Sequence, residues 1–206
     1  RWVCFLWKST NREIRRGCRH ICKKQRVTPH YSSREIEVMW VSLLIENQGP
    51  LHIGVYYGKQ ESVSQEEIKE EMDKLSEEIL EMKTSGEIVL CMDANAKIGL
   101  MGEQISRNGS LIKGVFEECE LEVLNASSIC RGVVTQQNRK VEAERSAIDL
   151  IAATNKASTM FSEMEIDEIG EYRMRNQKDS DHNTIIASLK IENSHIKNAT
   201  KKSDWN

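Results

Sequence analysis

The stretch from Ser64 to Met92 constrains this 206-residue chain more than any other. Ser64 followed by Glu67 is a capping-box pattern, in which the two side chains satisfy amide donors left open by a first helical turn. Ile68, Met72, Leu75, Ile79 and Met82 then recur at intervals of three and four, so one apolar stripe of a helix faces a core. Gly86 is the expected left-handed cap of that helix. Directly beyond it, Ile88-Val89-Leu90-Cys91-Met92 is apolar without alternation, the pattern of a strand covered on both faces. A capped helix feeding such a strand belongs to a layered α/β domain.

The rest of the chain extends this pattern. Trp2–Trp7 is a candidate strand followed by a basic loop. Ile36–Ile45 and Leu51–Tyr57 read as strands flanking the turn Asn47-Gln48-Gly49-Pro50, and so as an antiparallel pair. Gly109–Glu120 reads as a second helix with Leu111, Val115 and Cys119 inward. Glu122–Leu124 is a short strand, and Ala147–Ala152 and Thr184–Ile191 are further strands. After Glu192 the composition turns polar, so residues 192–206 read as a linker or tail. Many short strands with two helices predict two stacked sheets with helices outside.

Composition excludes some functions. The net charge of -3 rules out a globally basic nucleic-acid binder. Lys8, Arg12, Arg15, Arg16, Arg19, Lys23, Lys24 and Arg26 nonetheless form a basic run broken only by Glu13, whereas acids concentrate between Glu61 and Glu81. No apolar run approaches the ~20 residues that span a bilayer. The six cysteines, Cys4, Cys18, Cys22, Cys91, Cys119 and Cys130, show no disulfide spacing, which points to a reducing, intracellular setting. The chain opens at Arg1, without Met and directly before an apolar run. That reads as a cut at or near a strand, and hence as a piece of a longer domain.

Three polar clusters adjoin apolar strands, where α/β folds gather their sites. The first is Asp93-Ala94-Asn95, after Met92. If the chain stays extended, the two side chains share a face. The carboxylate could then position or deprotonate a water and the amide could bind a phosphate oxygen. The same residues fit an Asx turn ending the strand. The second is Asp149 in Ser146-Ala147-Ile148-Asp149-Leu150-Ile151. A carboxylate among apolar residues needs a His, Arg or metal partner, unless it faces solvent. The third is Ser180-Asp181-His182-Asn183, before Thr184-Ile185-Ile186. A His beside a carboxylate can turn cationic and offset charge on a phosphoryl group, although the segment also fits a plain loop. Taken together the clusters suit phosphodiester hydrolysis with oxygen ligands for Mg²⁺.

In order, Met92-Asp93-Ala94-Asn95-Ala96-Lys97-Ile98-Gly99, Arg107-Asn108-Gly109, Val123-Leu124-Asn125, Ser146-Ala147-Ile148-Asp149 and Ser180-Asp181-His182-Asn183 resemble the endonuclease/exonuclease/phosphatase superfamily. The nearest match is the endonuclease domain of non-LTR, LINE-like retrotransposons, and the resemblance runs from about Trp2 to Ile191. It implies a four-layer α/β sandwich, two mixed β-sheets packed face to face with helices outside, with the domain over 1–191. It also implies a Mg²⁺- or Mn²⁺-dependent endonuclease that nicks one DNA strand, with Asp93 managing the attacking water and Asn95 holding the scissile phosphate. By the same resemblance Asp149 fixes the ring of His182, His182 contacts the phosphate, and Asp181 serves the metal. Tyr57, in Val55-Tyr56-Tyr57-Gly58-Lys59, resembles the family's active-site Tyr, although Lys59 stands where the family usually has Pro. A reverse-transcriptase domain would follow in the parent protein, and a nuclear location is expected.

The family opens with an Asn-bearing strand and then a strand ending in a metal-binding Glu. Nothing before Trp2 supplies them, and Glu13, in the basic loop, is not their equivalent. The expectation is therefore a domain lacking its first strands, whose activity depends on that Glu. Two other readings stay open: a catalytically degenerate relic or co-opted DNA-binding module, and a phosphatase of the same superfamily. Arg15, Arg16, Arg19 and Lys23 either contact DNA phosphates or form a solvated loop. Cys18, His20 and Cys22 lack a second matched pair of zinc ligands and read as part of that basic loop. The acidic helix from Ser64 to Met82 reads as a solvated face over its apolar stripe.

Overall fold

A computed structural model describes residues 2–7, 27–32, 36–45, 48–137, 144–171 and 181–190. The basic residues Arg15, Arg16, Arg19 and Lys23, the Cys18-His20-Cys22 group, Ser180 and residues 192–206 lie outside the described residues. Twelve strands are described: β1 (Trp2–Trp7), β2 (Val27–Ser32), β3 (Val38–Ile45), β4 (Gly49–Tyr57), β5 (Glu87–Asp93), β6 (Leu121–Val123), β7 (Cys130–Arg131), β8 (Gln136–Gln137), β9 (Arg145–Ser146), β10 (Asp149–Thr154), β11 (Phe161–Ile166) and β12 (Ile185–Lys190). The helices are α1 (Gln65–Lys83), α2 (Arg107–Glu118) and the single turn α3 (Asn155–Ser158), and Leu124–Ala126 is a 3-10 turn.

Six strands form one sheet in the order β2-β3-β4-β5-β10-β6, and four form another, β1-β12-β11-β7. Both are mixed, because β4 and β5 run parallel in the first and β11 and β7 in the second. The predicted β3–β4 hairpin is present, with Val38 opposite Tyr56 and Ile45 opposite Gly49. One apolar core lies between α1, α2 and the six-stranded sheet and includes Trp40, Tyr56, Leu75, Ile79, Leu90, Val115 and Leu150. A second lies between the sheets, where Ile53, Val89, Cys91 and Ile151 meet Met164, Ile185, Ala187 and Leu189. The described residues thus supply helix, sheet and sheet of the expected sandwich.

Local chemistry explains most of the boundaries. Ser64 caps α1 by accepting from Glu67 N at 3.2 Å. Ser106 caps α2 by accepting from Gly109 N, so that helix begins two residues before the predicted Gly109. Gly86 is not a left-handed cap. Thr84 ends α1 in a right-handed conformation, and Gly86 is absent from the positive-φ glycines. A Cβ there would sit 2.3 Å from Pro50 O and 2.8 Å from His52 Nε2, so close approach of the chain is what requires glycine. The predicted strand Ala147–Ala152 is shifted: β10 starts at Asp149 and continues to Thr154. The acidic face of α1 is not simply solvated. Glu71 is buried and accepts from Tyr56 Oη at 2.7 Å, while Glu78 accepts from Trp40 Nε1 at 3.0 Å. Two aromatic residues of the sheet thereby anchor the helix, and burial beside Glu71 pushes the Tyr56 hydroxyl pKa far upward.

Candidate active site

Strand register brings the first two clusters together. Along β5, Val89, Cys91 and Asp93 share a face, because side chains alternate. Their partners on β10 are Ala153, Ile151 and Asp149, and on β4 they are Ile53, Val55 and Tyr57. Val89, Cys91, Ile53, Ile151 and Ala153 all belong to the inter-sheet core. The row Tyr57–Asp93–Asp149 therefore continues that face to the end of the sheet, where the apolar filling stops. Asp93 and Asp149 are 2% and 1% exposed, so their carboxylates need polar partners.

His182 is one of those partners. It lies three residues before β12 of the other sheet, and its Nδ1 lies 3.1 and 2.9 Å from the Asp149 carboxylate oxygens. Burial alone would lower the His182 pKa. The Asp149 hydrogen bond and charge, helped by Asp93 and Asp181, outweigh it and raise the ring to about 9. Burial pushes the Asp149 carboxyl up to about 6, against the opposing pull of His182. The direction for His182, toward the imidazolium, follows from having three carboxylates around it.

The remaining predicted residues fall around this pair. Asp181 is half-exposed, with Oδ1 3.9 Å from His182 Nε2. Asn95 does not share an extended face with Asp93. The strand ends at Asp93, and Asn95 takes the left-handed conformation with φ 46°. Its amide N lies 3.3 Å from Asp93 Oδ1, the Asx turn that was the alternative reading. Its side-chain Nδ2 donates to Gly58 O at 2.8 Å, and Gly58 N donates to Asp93 O at 2.8 Å. The turn thus stitches the ends of β4 and β5 together beside Tyr57. Lys59 turns away, to Glu67 and Glu71 on α1.

Several supporting residues carry no role in the sequence reading. Thr135 is fully buried, and its Oγ1 accepts from Ile148 N and Asp149 N, both at 2.9 Å. Asn125 donates from Nδ2 to Asp149 O at 3.1 Å and accepts Ile151 N at 2.8 Å. Its amide extends the sheet edge where β6 ends. Gln136 reaches Asp181. The signal for Thr135 was the β-branched run Val133-Val134-Thr135. Asn125 stood in the quoted Val123-Leu124-Asn125 string, but its contact with Asp149 spans 24 residues and no local pattern encodes it.

One ligand atom each from Asp93, Asp149 and His182 lies within 4.8 Å of the other two. Ligands on opposite sides of a small divalent cation stand roughly 4.2 Å apart, so the cluster has the right span. Because His182 Nδ1 already engages Asp149, the carboxylates are the donors that fit a hard cation.

A face-to-face pair of mixed sheets with carboxylates and an imidazole at one open end is the endonuclease/exonuclease/phosphatase fold, shared by nucleases and phosphatases. Residues 51–186 match the family described as Endonuclease-reverse transcriptase, and the chain belongs to it. Among solved structures, the endonuclease domain of TRAS1, a telomere-specific non-LTR retrotransposon, superposes with a TM-score of 0.62 at 16% identity, over 83% of this chain and 71% of that one. The 3'-5' exonuclease NExo from Neisseria meningitidis gives 0.55 at 15% identity, over 81% and 71%. AP endonuclease LMAP from Leishmania major gives 0.60 at 8% identity, over 82% and 62%. No curated protein sequence matches the chain. Among the described residues no helix is long and apolar enough to cross a membrane.

Proposed function

We propose that this chain is the DNA-nicking endonuclease part of a retrotransposon-derived protein, working with Mg²⁺ or Mn²⁺ in the nucleus ahead of a reverse-transcriptase domain. The observation that carries the reading is the Asp93–Asp149–His182 group, both carboxylates buried and the ring half-buried, at the mouth between the sheets. Its acids and imidazolium match what hydrolysis of a phosphodiester needs: a carboxylate to orient water, and fixed positive charge where the oxyanion develops. Asp93 takes the proton side of the attacking water. Imidazolium His182, held by Asp149, donates to a phosphate oxygen. One N–H of the Asn95 amide is spent on Gly58 O, and the other is the donor for the scissile phosphate. Tyr57 flanks the phosphate in the same row. The Asp93 and Asp149 carboxylates, with Asp181 beside His182, would hold the cation, which when bound would supply further positive charge against the phosphate oxygens. Arg15, Arg16, Arg19 and Lys23 would add salt-sensitive contacts to the DNA backbone.

Conversion of supercoiled plasmid to the open circle in Mg²⁺ tests this. Asp93→Ala and His182→Ala are each expected to lower the nicking rate by at least ~100-fold, with circular dichroism unchanged. Wild-type protein that binds DNA but never nicks it would favour the degenerate, binding-only reading. Hydrolysis of terminal phosphates without nicking would favour a phosphatase.

A further inference from the structure

Asp181 poses a question that its own surroundings answer. Its side chain is 51% exposed and sits on the short segment before β12, so nothing in the apolar core restrains it. A carboxylate in that position would sample several rotamers. Here Gln136 Nε2 donates to Asp181 Oδ2 at 3.0 Å. The other end of the same amide is also held, because Ser146 Oγ donates to Gln136 Oε1 at 2.9 Å. The Gln136 side chain is thus bonded at both ends, between the Ser146-Ala147-Ile148-Asp149 segment and the Asp181-His182-Asn183 segment.

The backbone reinforces the arrangement. Asn183 N donates to Thr135 O at 2.6 Å, Gln137 N donates to Asp181 O at 2.8 Å, and Gln136 pairs with His182 in an antiparallel bridge. Residues 135–137 therefore run alongside 181–183, and Gln136 has little freedom to leave. An amide also suits the task chemically. It fixes one carboxylate oxygen without adding a positive charge that would compete with a cation for Asp181. A Lys or Arg at 136 would hold the same oxygen and weaken it as a metal donor.

We propose that Gln136 is a positioning residue that orients the Asp181 carboxylate for the metal and couples it to the Ser146–Asp149 segment; this rests on Asp181 serving the metal. The test is Mn²⁺ binding to the protein by calorimetry, alongside kcat and KM for plasmid nicking. Gln136→Ala is expected to weaken Mn²⁺ binding by roughly tenfold and to lower kcat with KM for DNA unchanged. In the Asp181→Ala background, Gln136→Ala should change Mn²⁺ binding by less than about twofold, since the residue acts only through that carboxylate. Wild-type Mn²⁺ affinity in Gln136→Ala, with affinity lost in Asp181→Ala, overturns the role of Gln136 while leaving the metal assignment standing. Wild-type affinity in Asp181→Ala removes Asp181 from the metal site, and the proposal with it. Should Gln136→Ala fail to fold, Ser146→Ala removes the other anchor of the amide and is expected to weaken Mn²⁺ binding in the same direction; unchanged affinity there overturns the coupling.

Discussion

At Asp149 and His182 two costs of burial offset each other. Each group alone would resist ionisation in that setting, and together they form an ion pair. With its pKa raised from 6.5 to about 9, His182 binds its proton more tightly in the folded chain than in the unfolded one. Its contribution to stability is full below about pH 6.5 and vanishes as the pH rises through about 9. Urea melts are expected to show that loss between pH 6.5 and 9 in wild type, on the order of 1–3 kcal/mol, and a flatter profile in Asp149→Asn. The same substitution should move the alkaline limb of nicking activity down by about two pH units. An alkaline limb that stays in place would show that imidazolium is not required. Gly58 is a second sensitive residue. A Cβ there would meet Ala94 O at 2.6 Å, which is backbone and cannot swing aside. Gly58→Ala is expected to cost about 1–3 kcal/mol in urea unfolding and to lower nicking by separating Tyr57 from Asp93.

At the scale of elements, legibility followed range. The stripe and cap of α1 were readable because helical period and capping are local, and Ser64→Ala should cost about 1 kcal/mol in thermal melts. Strand β5 was readable because burial on both faces leaves an apolar run. Strands β2 and β11 were not recognised. Val27–Ser32 contains Pro29 and His30, and Phe161–Ile166 alternates too weakly, because Ser162 and Glu163 are both exposed. Beyond β6 the sheet edge is completed by the Asn125 side chain, not by a strand. Asn125→Ala leaves Asp149 O and Ile151 N without their partner, so it is expected to cost about 1–3 kcal/mol and to reduce nicking more than a change of that stability alone would. Full nicking in a destabilised Asn125→Ala would confine the residue to the fold.

For the molecule as a whole, function depends on two sheets meeting at one open end. The six-stranded sheet contributes Tyr57, Asp93 and Asp149, and His182 arrives with the other sheet. Loosening of the inter-sheet core should therefore reach the site. EDTA is expected to abolish nicking, and excess Mg²⁺ or Mn²⁺ to restore it; nicking that persists in EDTA would remove the cation from the reading. Local features are legible in the chain alone: α1 and its cap, the doubly covered β5, and three polar clusters of the right chemical types at strand ends. That Asp93 stands opposite Asp149, that Tyr57 completes their row and that Gln136 holds Asp181 emerges only from the folded chain. The reason is that strand register and neighbour order are settled by pairings between segments far apart in the chain. In the order β4-β5-β10-β6, β5 and β10 are separated by 55 residues, from Asp93 to Asp149, and no spacing within either strand specifies the other.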